Sequence, residues 1–174
     1  MENFKINDNG ELEVTASPTS SHTDFDFYVG NWKIKNRKLK ERLNNCNEWI
    51  EFEAAQKMYT VLNGIGNIDN FYATFDGQPF EGMSIRLFSP KTKLWSIYWA
   101  DSNEGILDPP VLGSIENNVG HFFTKDTFNG KSILVAFRWD ATDNDNPIWS
   151  QAFSEDNGKT WEWNWYMYCS RVKE

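Results

Sequence analysis

Arg86 stands among Ile85, Leu87 and Phe88, and Arg138 stands between Phe137 and Trp139. A guanidinium set in an apolar strand can clasp a carboxylate through two parallel hydrogen bonds. Gln151, Glu162 and Asn164 fall on one face of a final hairpin, where they offer fixed donors and acceptors. Asp101 ends a strand that carries Trp95 and Trp99, and all three share one parity. His121 sits beside Phe122 and Phe123. If these side chains point into one space, Arg86, Trp99, Asp101, His121, Arg138, Gln151, Glu162 and Asn164 line an aromatic pocket with a few polar groups. That is the usual makeup of a small-molecule site. Acid–base work by Glu162, Asp101 or His121 would support isomerisation, cyclisation or decarboxylation there. It needs a group at hydrogen-bond reach with a shifted pKa.

The same residues admit a structural reading. An arginine in a strand also suits the outer face, solvated or paired with an acid. Gln151 and Asn164 can bond each other across strands. His121 suits a structural or surface role. The Trp161, Trp163 and Trp165 face could instead fill the interior and leave no room for a ligand. No nucleophile elbow, phosphate-binding glycine loop, dinucleotide fingerprint or H-E-x-x-H pattern is present. Two histidines and two separated cysteines do not make a zinc site. No catalytic residue, metal or cofactor is therefore assigned.

Composition narrows the partners. The 174 residues hold nine Trp and thirteen Phe, enough for one large core. A net charge of −8 argues against nucleic acid or an anionic membrane surface as partner. The apolar stretches are strand-sized, so no transmembrane span is expected. No export signal is visible, and Cys46 and Cys169 are read as reduced thiols in a cytoplasmic protein. Residues 1–23 are polar and read as a loose arm. Residues 24–174 read as one domain.

The elements that must position these groups are strands. Ile148–Phe153 and Trp161–Tyr168 alternate on either side of Ser154-Glu-Asp-Asn-Gly-Lys-Thr-Trp161, which predicts a hairpin with a long polar turn. Asp156 can accept backbone N–H bonds across it, and Gly158 can take positive φ. The turn resembles the Asp-box of β-propellers, a hairpin device remote from catalysis. Facing Ser154 with Trp161 pairs Ala152 with Trp163, Ser150 with Trp165 and Ile148 with Met167. The other face then pairs Phe153 with Glu162, Gln151 with Asn164 and Trp149 with Tyr166.

Further strands are expected over 32–39, 49–62, 68–75, 80–88, 94–100, within 111–124, and over 131–139. Turn signals separate them, one being Asp76-Gly77-Gln78-Pro79. A short helical turn capped by Thr23 or Asp24 precedes the first strand. Asp101–Pro110 is the longest internal loop and suits a rim or lid. No window longer than two turns keeps a helical apolar period. The count is nine or ten strands, all-β, favouring a single antiparallel up-and-down barrel.

Phe27-Tyr-Val-Gly30-Asn-Trp32 resembles the G-x-W signature that opens the first strand of lipocalins and their calycin relatives. That resemblance implies a Trp plugging one barrel end, packed under a basic residue from the last strand, for which Arg171 is the candidate. From about residue 24 onward, Phe-Asp-Phe-Tyr-Val-Gly-Asn-Trp, Ile-Arg-Leu-Phe-Ser-Pro and Asn-Gly-Lys-Thr-Trp-Glu-Trp-Asn-Trp are similar to a bacterial family of lipocalin-like barrels with no assigned reaction. The resemblance implies a fold and a cavity. The expectation is a barrel holding a small, mostly apolar or aromatic, possibly acidic ligand. The alternatives are an enzyme using the same cavity, and a filled barrel acting through its surface. Aromatic residues on both faces of the last strand also predict that its outer face is covered, by the arm or by a second subunit of a homodimer.

Overall fold

The computed structural model describes residues 3–75 and 77–173. The turn residue Asp76 lies outside them. Ten strands close into one barrel: β3 (Gly30–Leu39), β4 (Trp49–Val61), β5 (Gly66–Phe75), β6 (Gln78–Ser89), β7 (Leu94–Asp101), β8 (Val111–Glu116), β9 (Val119–Phe128), β10 (Lys131–Asp140), β11 (Ile148–Ser154) and β12 (Glu162–Arg171). Every strand pairs antiparallel with its neighbour in sequence, and β12 closes on β3. This is the expected up-and-down all-β barrel. Closure leaves no sheet edge unpaired. The stretch 111–124, read from sequence as one run, is two strands. Asn117 and Asn118 divide it with φ of 50° and 63°, the left-handed pair that a two-residue hairpin turn needs.

Along each strand one parity faces the lumen. Trp32, Ile34 and Asn36 on β3, Gln56 and Met58 on β4, and Asn67, Asp69 and Phe71 on β5 are all buried. One end is plugged as the G-x-W resemblance implies. Trp32 is buried, stacks on Tyr28 at 4.7 Å between centroids, and lies under Arg171 with Cζ 4.3 Å from its ring. Arg171 also donates to the carbonyls of Phe27, Val29 and Asn144, which binds the last strand to the chain entering the first. A 3-10 turn over Asp26–Tyr28 feeds the plug, but no side chain caps it. Asp24 instead accepts from Ser20 Oγ, Ser21 N and Trp95 Nε1.

The segment before residue 24 carries β1 (Phe4–Ile6) and β2 (Leu12–Val14), a hairpin outside the barrel. Phe4, Leu12 and Val14 pack with Trp161 and Trp163 over Phe123, Ala136 and Ala152. The arm thus covers the Trp161 and Trp163 end of the outer face of the last hairpin and leaves Tyr168 exposed.

The turn from 154 to 161 behaves as read. Asp156 Oδ1 accepts from Thr160 N at 2.9 Å, Gly158 N donates to Ser154 Oγ at 2.8 Å, and Gly158 has φ +86°. The register holds for Ala152 against Trp163 and Phe153 against Glu162. A β-bulge then shifts it, so Gln151 faces Trp165, Ser150 faces Tyr166, Trp149 faces Met167 and Ile148 faces Tyr168. Asn164 is the extra residue. The bulge turns Trp165 inward, away from the face of Trp161 and Trp163.

Candidate functional site

The lumen holds a cavity of about 300 Å³. Its wall is aromatic: Phe71, Trp99, Phe137, Trp139, Trp149 and Trp165. Gly82 makes room for one of these rings. A Cβ there would sit 2.1 Å from Trp99 Cη2, so the missing side chain lets the indole lie flat on β6.

The floor is polar. Arg86 and Gln56 reach the cavity from β6 and β4 and are 3 % and 4 % exposed. Arg86 Nη1 donates to Asn67 Oδ1 at 3.1 Å and forms an ion pair with Asp69 Oδ2. The guanidinium lies against the plug, with Cζ 5.2 Å from the Phe25 ring centre and 5.8 Å from that of Trp139. Gln56 accepts from Tyr28 OH at 2.8 Å, and Tyr28 OH also meets Cys169 Sγ at 3.4 Å. Burial raises the Tyr28 hydroxyl well above its ordinary range and pushes the Cys169 thiol up to about 12. Both are neutral structural groups at physiological pH.

The mouth is charged and lies between the 40–48 loop, the 102–110 loop and the end of β9. Arg42 lines it over the Phe128 ring, at 4.9 Å. Lys38 shares the inward parity of Trp32, Ile34 and Asn36, and its Nζ lies 4.2 Å over the Trp165 ring. Burial, with Arg42 adding repulsion, brings Lys38 down to about 8. Asp108 and Asp126 also line it. Burial and the negative neighbours Asp126, Asp101 and Glu104 raise the Asp108 carboxyl above its usual range. The 102–110 loop therefore contributes to the rim, as its length suggested.

Arg86, Trp99 and Gln151 line the cavity directly. Asn164 stands behind Gln151, accepting from its Nε2 at 3.0 Å, and donates to Glu162 at 3.4 Å. Glu162 accepts Leu43 N at 2.9 Å, so it fixes the 40–48 loop. Asp101 shares the inner parity, but its carboxylate holds Asn103 N, Glu104 N and Trp99 Nε1 and so shapes the rim loop. Arg138 and His121 are not in this group. They face each other across β9 and β10 on the outer surface, because their neighbours Phe137, Trp139 and Phe122 take the inward positions. Arg138 pairs with Asp140 at 2.8 Å. Burial and Arg138 lower the His121 pKa.

Sequence reasoning missed Gln56, Asn67, Asp69 and Ser84, the polar floor. The available signal was parity. Asn67 and Asp69 alternate in step with Phe71, and Gln56 with Met58. Among the described residues no group of three acidic, cysteine or histidine side chains could hold a metal ion, and no helix is long and apolar enough to cross a membrane.

No family model and no curated protein matches the sequence. Among solved structures, an S-type phycobiliprotein lyase from Guillardia theta is similar, with a TM-score of 0.62 over 90% of this chain and 95% of that one, at 9% identity. Together with the closed ten-strand barrel, this likeness shows a lipocalin-like fold.

Proposed function

We propose that the protein binds a small, mostly apolar or aromatic molecule inside the barrel. The cavity of about 300 Å³, lined by eight aromatic residues over a polar floor, carries this reading. It argues against a filled barrel that works through its surface alone. Flat rings and edges at this density suit a planar or fatty ligand, through offset and edge contacts. Native mass spectrometry on gently purified protein tests it. Excess mass that disappears on denaturation identifies a retained organic molecule. An apo mass, followed by no heat on titration with naphthalene, overturns the reading.

Asp108 favours a second reading, acid–base chemistry at the mouth, because a carboxyl with a raised pKa stands at the cavity rim. The similar solved structure is a lyase, which fits such a role in kind. Incubating a retained molecule with fresh protein and following its mass would show conversion, abolished in Asp108→Asn. Unchanged ligand removes this reading and leaves binding intact.

We place the protein in the cytoplasm, with both thiols reduced, and expect a homodimer. Tyr166 and Tyr168 stack on the outer face of β12, and Tyr168 is exposed. A monomer mass in sedimentation at micromolar concentration would overturn the dimer.

A further inference from the structure

The floor of the cavity holds an ion pair whose bonding is incomplete. Asp69 is 0% exposed and Arg86 3%. Both hydrogen bonds of Arg86, to Asp69 and to Asn67, run through Nη1. Arg86 Nε and Asp69 Oδ1 are buried with no partner among the described residues. A buried polar atom without a partner is costly, and native folds rarely leave one. Arg86 lines the cavity from β6, while Asp69 has the inward parity of β5 but does not itself line the cavity.

Charge decides what can sit against Arg86. The sequence alone suggested a carboxylate clasped by Arg86. The guanidinium is already neutralised by Asp69. A second carboxylate would bring a net negative charge into the buried floor, while the cavity's other lining cation, Arg42, stands at the mouth. Burying an uncompensated charge is unfavourable, whereas a neutral group that both gives and takes a hydrogen bond adds no charge.

Resting on the proposed cavity function, we infer that the floor selects a neutral ligand head carrying a hydrogen-bond acceptor, such as a primary amide, a lactam or an undissociated acid, over a carboxylate of the same shape. The head accepts from the Arg86 guanidinium, whose charge Asp69 already balances. The apolar body of the ligand lies among the rings above.

Calorimetric titration of the full chain with naphthalene, 2-naphthamide and 2-naphthoate near neutral pH tests this. The amide binds tighter than naphthalene, and tighter than the carboxylate by about tenfold or more. Asp69→Asn offers a donor where the acceptor stood and leaves Arg86 unneutralised. In that variant the order reverses and the carboxylate binds best. Acidification toward the pKa of naphthoic acid strengthens its binding to the wild type, because the undissociated acid brings no charge to the floor. Carboxylate binding as tight as the amide in the wild type overturns the inference, as does an unchanged order in Asp69→Asn. If naphthalene binds and the amide gains nothing over it, as when water satisfies the two atoms, the inference falls and the cavity reading stands. If none of the three binds, both fall. Should Asp69→Asn not fold, the wild-type ranking decides alone.

Discussion

Removing Arg86 should be among the most destabilising single changes in the barrel, and removing Asp69 with it should undo the damage. Arg86→Met keeps most of the apolar stem but leaves the Asp69 carboxylate 0% exposed and without its cation. Breaking a buried pair from one side costs about 3–5 kcal/mol. Replacing both partners by apolar residues of similar volume is often neutral. Urea unfolding followed by tryptophan fluorescence reads both. With a slope of about 2 kcal/mol per molar, the midpoint of Arg86→Met falls by roughly 2 M. The Arg86→Met/Asp69→Leu double variant recovers most of that loss. A single variant within about 1 kcal/mol of wild type, or a double variant no better than the single, would refute the argument that the pair is closed off from solvent.

Three other outcomes follow from local geometry. Gly82→Ala drives a methyl onto Trp99 and should cost about 1–3 kcal/mol while displacing the ring into the cavity; loss of naphthalene binding in calorimetry, with the near-ultraviolet dichroism changed, checks it. Of the two thiols, Cys46 is partly exposed whereas Cys169 is buried with its pKa pushed up to about 12, so a disulfide reagent should label one equivalent in the native state and two after denaturation. Asp156 is held at about 2 by Thr160 and Ser154. Its contribution is therefore fully present above the ordinary carboxylate pKa and lost as pH falls through about 2; Asp156→Ala should lower the melting temperature near neutral pH, and the gap to wild type should close in strong acid.

The barrel was legible because its strands announce their ends. Asp and Asn with Gly or Pro punctuate alternating runs, and sequential hairpins leave few topologies open. The inner face was harder to read. Arg86 and Arg138 have nearly the same local sequence, each between large apolar neighbours, yet one is the cavity floor and the other is outside. Alternation identifies a lumen face only when the other face is polar. Here the β1–β2 hairpin lays Phe4, Leu12 and Val14 on the outside of β9–β12, so Phe123, Ala136, Ala152 and Trp163 are apolar for a different reason. Both parities of those strands look like core. The bulge at Gln151 was hidden in the same way, since a shift that swaps one aromatic pair for another leaves no compositional trace.

The plug and the polar floor depend on each other. An ion pair this deep carries a large desolvation cost, and close packing around the ions offsets part of it. Phe25, Tyr28 and Trp139 supply that surface to Arg86, and Tyr28 is in turn held by Trp32 under Arg171. The signature tryptophan at one end of the barrel thus does more than close it. Through Tyr28 it supports the rings against which the guanidinium rests. The open end carries loops with charges of both signs, Arg42 with Asp108 and Asp126. On the proposed binding reading, a ligand entering there would pass from a mixed-charge rim to the aromatic wall and then to a guanidinium whose charge is already balanced, an order that suits an apolar body with one small uncharged polar head directed inward.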